Sequence, residues 1–291
     1  AANCAWAIIG LPDWITTATS SGTGPATLTL SVAANTGEPR SALVLVASIM
    51  AAVNQASSQL AITDAGVVNA ASFTAPVAPG SLASLFGNFL LASPLSVSSF
   101  PIPTSLGGLS IDFYSGSAPL FYASAGQVNA QIPWELEVEE QNEVAASTST
   151  QQSNPKPLNL ATYAPGLFAI NGAGTGQGAI LDSNYNLVSS TNPSTAGSVV
   201  QIFCTGLGPV TNQPATGAAS PSNPLASTPT LPIVMIGGAQ ATVQFSGLTP
   251  GDVGLYQVNA TIPAGAAKGT AVPVMLSIGG VQSNAVTIAV Q

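Results

Sequence analysis

Five glutamates, Glu135, Glu137, Glu139, Glu140 and Glu143, form the densest set of ionisable side chains in the sequence. Clustered carboxylates can bind calcium or, as an opposed pair across a cleft, hydrolyse a glycosidic bond. A glycosidase needs two carboxylates converging from separate elements, and the other acids of this chain are scattered. Alternating Glu at a strand exit more simply makes a solvated edge that discourages unwanted pairing. Asp182-Ser183-Asn184-Tyr185-Asn186 opens like a calcium loop but lacks the glycine and distal glutamate, so its apolar flanks predict a hairpin turn. The glycine-rich stretch 172–178 has neither a P-loop lysine nor a helical pattern behind it. The chain has no His, the usual general base and metal ligand. Its serines therefore lack an ordinary base, and neither Lys156 nor Lys268 sits in a Ser-x-x-Lys arrangement. The sequence predicts no catalytic residue, no metal site and no cofactor.

Non-covalent chemistry is better represented. Trp6, Trp14 and Trp134 could stack on sugars, or be buried, since aromatic side chains dominate small cores. Cys4 and Cys204 lie far apart with no CxxC spacing, which excludes zinc and thioredoxin-like sites. They are candidates for one disulfide, within or between chains, or for two buried free thiols. Asn259-Ala260-Thr261 is a formal glycosylation sequon on a predicted strand; the Ser/Thr run at 147–150 suits O-linked sugars better.

Composition narrows the partners. Only 5% of residues are charged, against roughly 25% in an ordinary soluble domain. Three Lys and Arg and a net charge of −8 provide no basic footprint for nucleic acid or anionic membranes. Hydrophobic residues reach 46%, yet no apolar run is long enough for a membrane-spanning helix. What remains is a polar, nearly uncharged surface suited to packing on other copies or on neutral polymers.

The elements that carry these residues read as strands. Gln127-Val128-Asn129-Ala130-Gln131-Ile132-Pro133 returns as Gln257-Val258-Asn259-Ala260-Thr261-Ile262-Pro263. Apolar residues alternate with polar ones, the period of a half-buried strand, and Pro ends the ladder by removing a donor. A second phrase also recurs, Pro79-Gly80-Ser81-Leu82 answering Ala196-Gly197-Ser198-Val199. The second phrases lie 117 residues apart and the first 130, which makes the difference of 13 an insertion in the Pro/Ser/Ala-rich stretch 211–229. The repeat implies two tandem domains of one fold. Upstream, Leu28, Leu30 and Val32 alternate, Asn35-Thr36-Gly37 turns, and an apolar run comes next at 43–46.

The N-terminal order Cys4-x-Trp6, Trp14-Ile15, Gly22-x-Gly24, Arg40 and Val53-Asn54-Gln55 resembles the BACON domain, an Ig-like sandwich common in secreted bacterial proteins. Against that pattern the sequence starts directly at the Cys-x-Trp, which implies either a missing edge strand that invites strand addition by a neighbour or a module that closes with fewer strands. The resemblance also implies core positions for Trp6 and Trp14. Residues 61–291 resemble the C-terminal domain family of Solibacter-type acidobacterial proteins, through phrases such as Ala118-Pro119-Leu120-Phe121-Tyr122, Ala164-Pro165-Gly166-Leu167-Phe168 and Thr205-Gly206-Leu207-Gly208-Pro209. Each half is similar to IPT/TIG-type Ig folds. Cys204 departs from that pattern, where a small or apolar residue is usual.

The expectation is an all-β chain of tandem Ig-like β-sandwiches: a shortened module over 1–56, a linker or first strand over 57–66, and sandwiches over 67–165 and 166–291. Its expected role is non-enzymatic and extracellular or at the cell surface. The leading form is a structural subunit of a filament, pilus-like fibre or surface layer that polymerises with copies of itself. The alternative is a carbohydrate-binding or adhesion module acting on extracellular glycans.

Overall fold

The computed structural model describes residues 3–35, 37, 39–97 and 99–291, and among them it contains strands and turns but no helix. The chain divides into two compact units, residues 1–60 and 61–291.

The first unit holds β1 (Ala5–Ile9), β2 (Ile15–Thr17), β3 (Ser21–Thr23), β4 (Leu30–Val32), β5 (Arg40–Val46) and β6 (Ile49–Gln55). Hydrogen bonding orders four of them β3-β1-β5-β6, while β2 and β4 form a separate pair. The β5–β6 hairpin turns at Ala47 and Ser48, both at positive φ (48° and 72°). Two left-handed residues in a two-residue loop match the twist of the strands they join. Side chains alternate along β5, with Val44 buried and its neighbour Leu43 exposed. Gly37 N donates to Asn35 Oδ1 at 3.1 Å, as the expected turn requires, although Thr36 lies outside the described residues.

The second unit carries two sandwiches. The first comprises β7 (Ala61–Asn69), β8 (Leu82–Asn88), β9 (Leu95–Ser96), β10 (Ser110–Phe113), β11 (Gly116–Ser117), β12 (Leu120–Ala123), β13 (Gln127–Gln131), β14 (Glu143–Ser147) and β15 (Lys156–Pro157). Its sheets run β7-β8-β13-β12-β9 and β11-β10-β14-β15. Of the stretch expected as a linker or a first strand, the part from Ala61 is strand and pairs with β8, because Ile62 and Val67 have a core to enter.

The second sandwich comprises β16 (Gly166–Leu167), β17 (Ile180–Asp182), β18 (Val199–Thr205), β19 (Ile233–Ile236), β20 (Ala239–Leu248), β21 (Tyr256–Thr261), β22 (Gly269–Ile278), β23 (Val281–Gln282) and β24 (Val286–Val290). The path β16-β18-β21-β20-β19-β22-β23, with β17 on β18 and β24 on β22, folds over a single core of residues such as Ile202, Val258, Val274 and Ile288. The long β20 serves both layers, pairing with β21 along most of its length and with β19 near its start. Along β21, Tyr256, Val258 and Ala260 are buried while Gln257, Asn259 and Thr261 are half-buried. Burying a large apolar side chain contributes about 1.5–3 kcal/mol. A one-residue slip would drive the amides into the core, so the register is firmly set.

Candidate functional site

The repeated phrase occupies equivalent positions in the two sandwiches. β13 lies between β8 and β12, and β21 lies between β18 and β20. Residues directly opposite each other on neighbouring strands share one face of the sheet. In the first sandwich Gln127 opposes Phe86, and Asn129 opposes Ser84 on one side and Tyr122 on the other. In the second, Gln257 opposes Phe203, and Asn259 opposes Gln201 and Phe245. These side chains alternate with the core residues Val128 and Val258 and so face outward. A β-bulge precedes the aromatic in both copies, between Leu120 and Tyr122 and between Val243 and Phe245. A bulge adds one residue and re-aims the side chains beyond it; here it sets a ring beside an amide. The amides are linked along the strand. Gln127 Nε2 donates to Asn129 Oδ1 at 2.8 Å, and Gln257 Nε2 to Asn259 Oδ1 at 2.7 Å.

Sequence reasoning found the phrase and missed the rings. They come from a neighbouring strand, joined by a short connection in the first copy and a longer one in the second. An aromatic in the strand before each phrase was the available signal.

The three tryptophans separate in role. Trp14 is half-buried, and the guanidinium of Arg40 lies over its ring, 4.4 Å from the centroid. Trp6 lies across Gly22, its cross-strand partner, where a Cβ would collide with the indole. Its Nε1 donates to the Gly24 carbonyl at 3.1 Å. The indole also lines an open cavity of about 340 Å³ with Pro25, Leu28 and Val46. Trp134 packs against the second sandwich's core, over Gly80, whose missing side chain leaves room for the ring. Its backbone N donates to Thr216 Oγ1 at 3.0 Å. A cavity of about 170 Å³ lies beside it, lined in part by Pro79, Thr162 and Gln213. Trp6 thus borders the larger cavity, while Trp134 wedges a joint.

The other candidates are also placed. Glu135, Glu137, Glu139, Glu140 and Glu143 are all exposed, the first four in the connection after β13 and the last opening β14. Among the described residues no group of three or more His, Cys, Asp or Glu could hold a metal. Residues 182–186 form a turn, with Leu181 bridged to Leu187. Asp182 Oδ1 accepts from Asn184 N at 2.8 Å and Asn186 N at 3.0 Å, and Oδ2 accepts from Asn192 Nδ2 at 3.0 Å. The glycine-rich stretch packs: Gly174 sits against the Ala71 and Ser72 carbonyls, and its own carbonyl accepts from Asn284 Nδ2 at 2.7 Å. Cys4 is an exposed free thiol and Cys204 a fully buried one, and burial pushes the Cys204 thiol far up. Opposite it, Tyr256 donates its hydroxyl to the Gly208 carbonyl at 2.5 Å inside the same core.

No helix among the described residues is long and apolar enough to cross a membrane. Residues 5–56 match the BACON family model, described as a putative binding domain, N-terminal. No curated protein matches the chain. Among solved structures it is similar to the I9–I11 tandem from titin (10% identity, 97% of this chain and 84% of that one, TM-score 0.22). It is also similar to SGBP-B from a complex xyloglucan utilization locus in Bacteroides uniformis (11% identity, 79% and 49%, TM-score 0.26). A third is surface layer protein SbsC, domains 4–9 (14% identity, 99% and 39%, TM-score 0.23). The chain thus spans about half of SGBP-B and less of the SbsC fragment. The fold assignment rests on the chain's own strands, and the N-terminal family match covers residues 5–56 alone.

Proposed function

We propose that the chain is a non-enzymatic protein of the cell surface or extracellular space that works by contact. In this reading the N-terminal module joins copies into a surface layer or fibre, and residues 61–291 are tandem Ig-like modules of the Solibacter-type family. One observation carries it. Ile9, Leu45 and Met50 stand opposite one another across β1, β5 and β6, on the side of the sheet away from Val44. Ile9 is 63% and Met50 70% exposed, and Leu43 beside them is 64% exposed. Contiguous exposed apolar side chains of this kind mark contact surfaces. The row ends at β6, which among the described residues pairs only with β5. Ile49-Met50-Ala51-Ala52-Val53-Asn54-Gln55 has no charge and no Pro to blunt such an edge. An uncharged strand with an open edge can pair with the same strand of a second copy, continuing the sheet across a two-fold axis.

Sedimentation velocity and negative-stain microscopy test this. The wild-type chain should associate as concentration rises, and Met50→Lys should leave it monomeric with its fold intact. Monodisperse monomers at every concentration, salt and pH would remove the assembly reading.

A second reading, glycan binding or adhesion, is favoured by the Trp6-lined cavity and by the description of the matching family as a binding domain. A sugar's apolar face can stack on an indole. Polysaccharides should then change the tryptophan fluorescence, and Trp6→Ala should abolish the change. Fluorescence unmoved by any polysaccharide would count against it.

A further inference from the structure

We infer that the two outward amide faces of residues 61–291 are a pair of equivalent sites for an uncharged polysaccharide. The inference rests on the surface-binding reading above and locates it away from Trp6. Asn129 Oδ1 accepts from both Gln127 Nε2 and Ser84 Oγ, at 2.8 and 3.1 Å. That fixes the orientation of the amide and leaves Asn129 Nδ2 with no acceptor among the described residues. Gln127 Oε1 accepts nothing there either. In the second sandwich Asn259 Nδ2 and Gln257 Oε1 are left in the same state by the same strand-borne bond. Each face therefore presents one oriented donor beside one oriented acceptor. Neighbouring sugar hydroxyls, each a donor and an acceptor, are the chemical complement of that pair.

The rings complete the match. Phe86 and Tyr122 flank the first pair and Phe203 and Phe245 the second, all half-buried. An aromatic face packs on the C–H side of a sugar while amides take its hydroxyls. None of these eight side chains is charged, so the faces hold no partner for an anionic polymer. An amide pair serving only to satisfy itself would not need the bulge that sets a ring beside the Asn. That bulge occurs in both copies, although the connections around it differ in length. Two sites on one chain also let a long polymer bind with avidity.

Affinity electrophoresis of the full chain tests this, in gels holding xyloglucan, galactomannan or dextran, with alginate as the anionic comparison. Asn129→Asp and Asn259→Asp each keep the Oδ1 acceptor for Gln while deleting the free donor. Tyr122→Leu with Phe245→Leu keeps apolar volume and removes from each face the ring beside the Asn. The wild type should be retarded by at least one neutral gel and not by alginate. The variant with both Asn→Asp changes should melt like the wild type and bind about tenfold more weakly or worse, about 1.4 kcal/mol; the variant with both ring replacements should weaken likewise. If both double variants bind as the wild type does while Trp6→Ala abolishes retardation, glycan binding stands and these faces are not its site. If no neutral gel retards the wild type, both readings fall.

Discussion

Arg40, one of three cationic side chains, ties together the first unit. Its Nε donates to Gln55 Oε1 at 2.9 Å, and one guanidinium nitrogen reaches the Ala33 and Ala34 carbonyls at 2.9 and 3.3 Å. The same planar group covers Trp14. A lysine has no fork and stacks less well, so the two are not interchangeable here. Arg40→Ala should cost about 2 kcal/mol through lost charge-assisted bonds and the exposed ring. Arg40→Lys should recover only part of that. In a module this small, 1 kcal/mol moves the melting temperature by roughly 4–8 °C, so calorimetry resolves the two variants. A first transition unmoved by Arg40→Ala would show the brace to be idle. The cysteines offer a second check on single side chains. A thiol reagent should titrate Cys4 in the native protein and Cys204 only after denaturation, because the latter lies wholly in the core. Two thiols reacting natively would contradict that placement; none reacting before reduction would reveal a disulfide.

The β17 turn shows what a short element does with an acid. Asn192 first, then the Asn186 backbone, hold the Asp182 carboxyl below its ordinary value of 3.8. Lys156 does the same for Asp64 through an ion pair at 2.5 Å. A lowered folded-state value adds stability above the unfolded value, lost as pH falls through the folded one. Asp64 is well exposed and Asp182 half-buried at a surface turn, so the effect is small and screened. Burial moves Asp252 upward instead, so its charge opposes folding as pH rises past 3.8. Urea midpoints measured against pH should therefore fall below about pH 3.8. Asp182→Asn should flatten that acid limb, while Asp252→Asn should raise the midpoint at neutral pH. An acid limb unchanged by Asp182→Asn would remove the turn's role.

The same element shows what sequence can reveal. Apolar flanks around a polar run gave away the hairpin at 182–186, and strict alternation gave away β13 and β21. The bulges were not legible, because one extra residue in β12 or β20 breaks an alternation too short to measure. Arg40 over Trp14 was hidden for a related reason, since sequence spacing does not show which loop a long side chain will reach.

Between the two sandwiches the joint is polar, buried and built from the differences between the repeats. Asn69 Nδ2 donates at 2.7 Å to the carbonyl of Ala164, in the connection from β15 to β16, while its Oδ1 accepts from Ala71 N and Ser72 N. Thr205 Oγ1 accepts from Leu82 N and donates to the Gly254 carbonyl, both at 2.9 Å. The connection after β18, which contains the insertion, reaches back onto the first sandwich. Gly217 N donates to Gln131 Oε1 at 2.7 Å, and Ile102 N donates to the Gly217 carbonyl at 3.0 Å. Gln131 is 1% exposed and also donates to the Gly80 carbonyl at 3.3 Å. Its counterpart in the second copy is Thr261, half-buried and bonded to Gln244. That one departure within the repeated phrase is explained by the clamp: Gln131 of the first copy receives the second copy's insertion, and Thr261 makes no such contact among the described residues.

Gln131→Leu keeps the volume and removes both bonds, leaving Gly217 N buried without its acceptor. Each buried group so stranded costs about 1–3 kcal/mol. Thr261→Ala disturbs only a half-exposed contact and should stay within about 0.5 kcal/mol of the wild type. With the clamp intact, residues 61–291 should unfold in one calorimetric transition; with Gln131→Leu the two sandwiches should begin to melt separately. A single unshifted transition in that variant would mean that the sandwiches are held by their apolar contacts alone, with Trp134 in the wedge and the insertion merely resting on it.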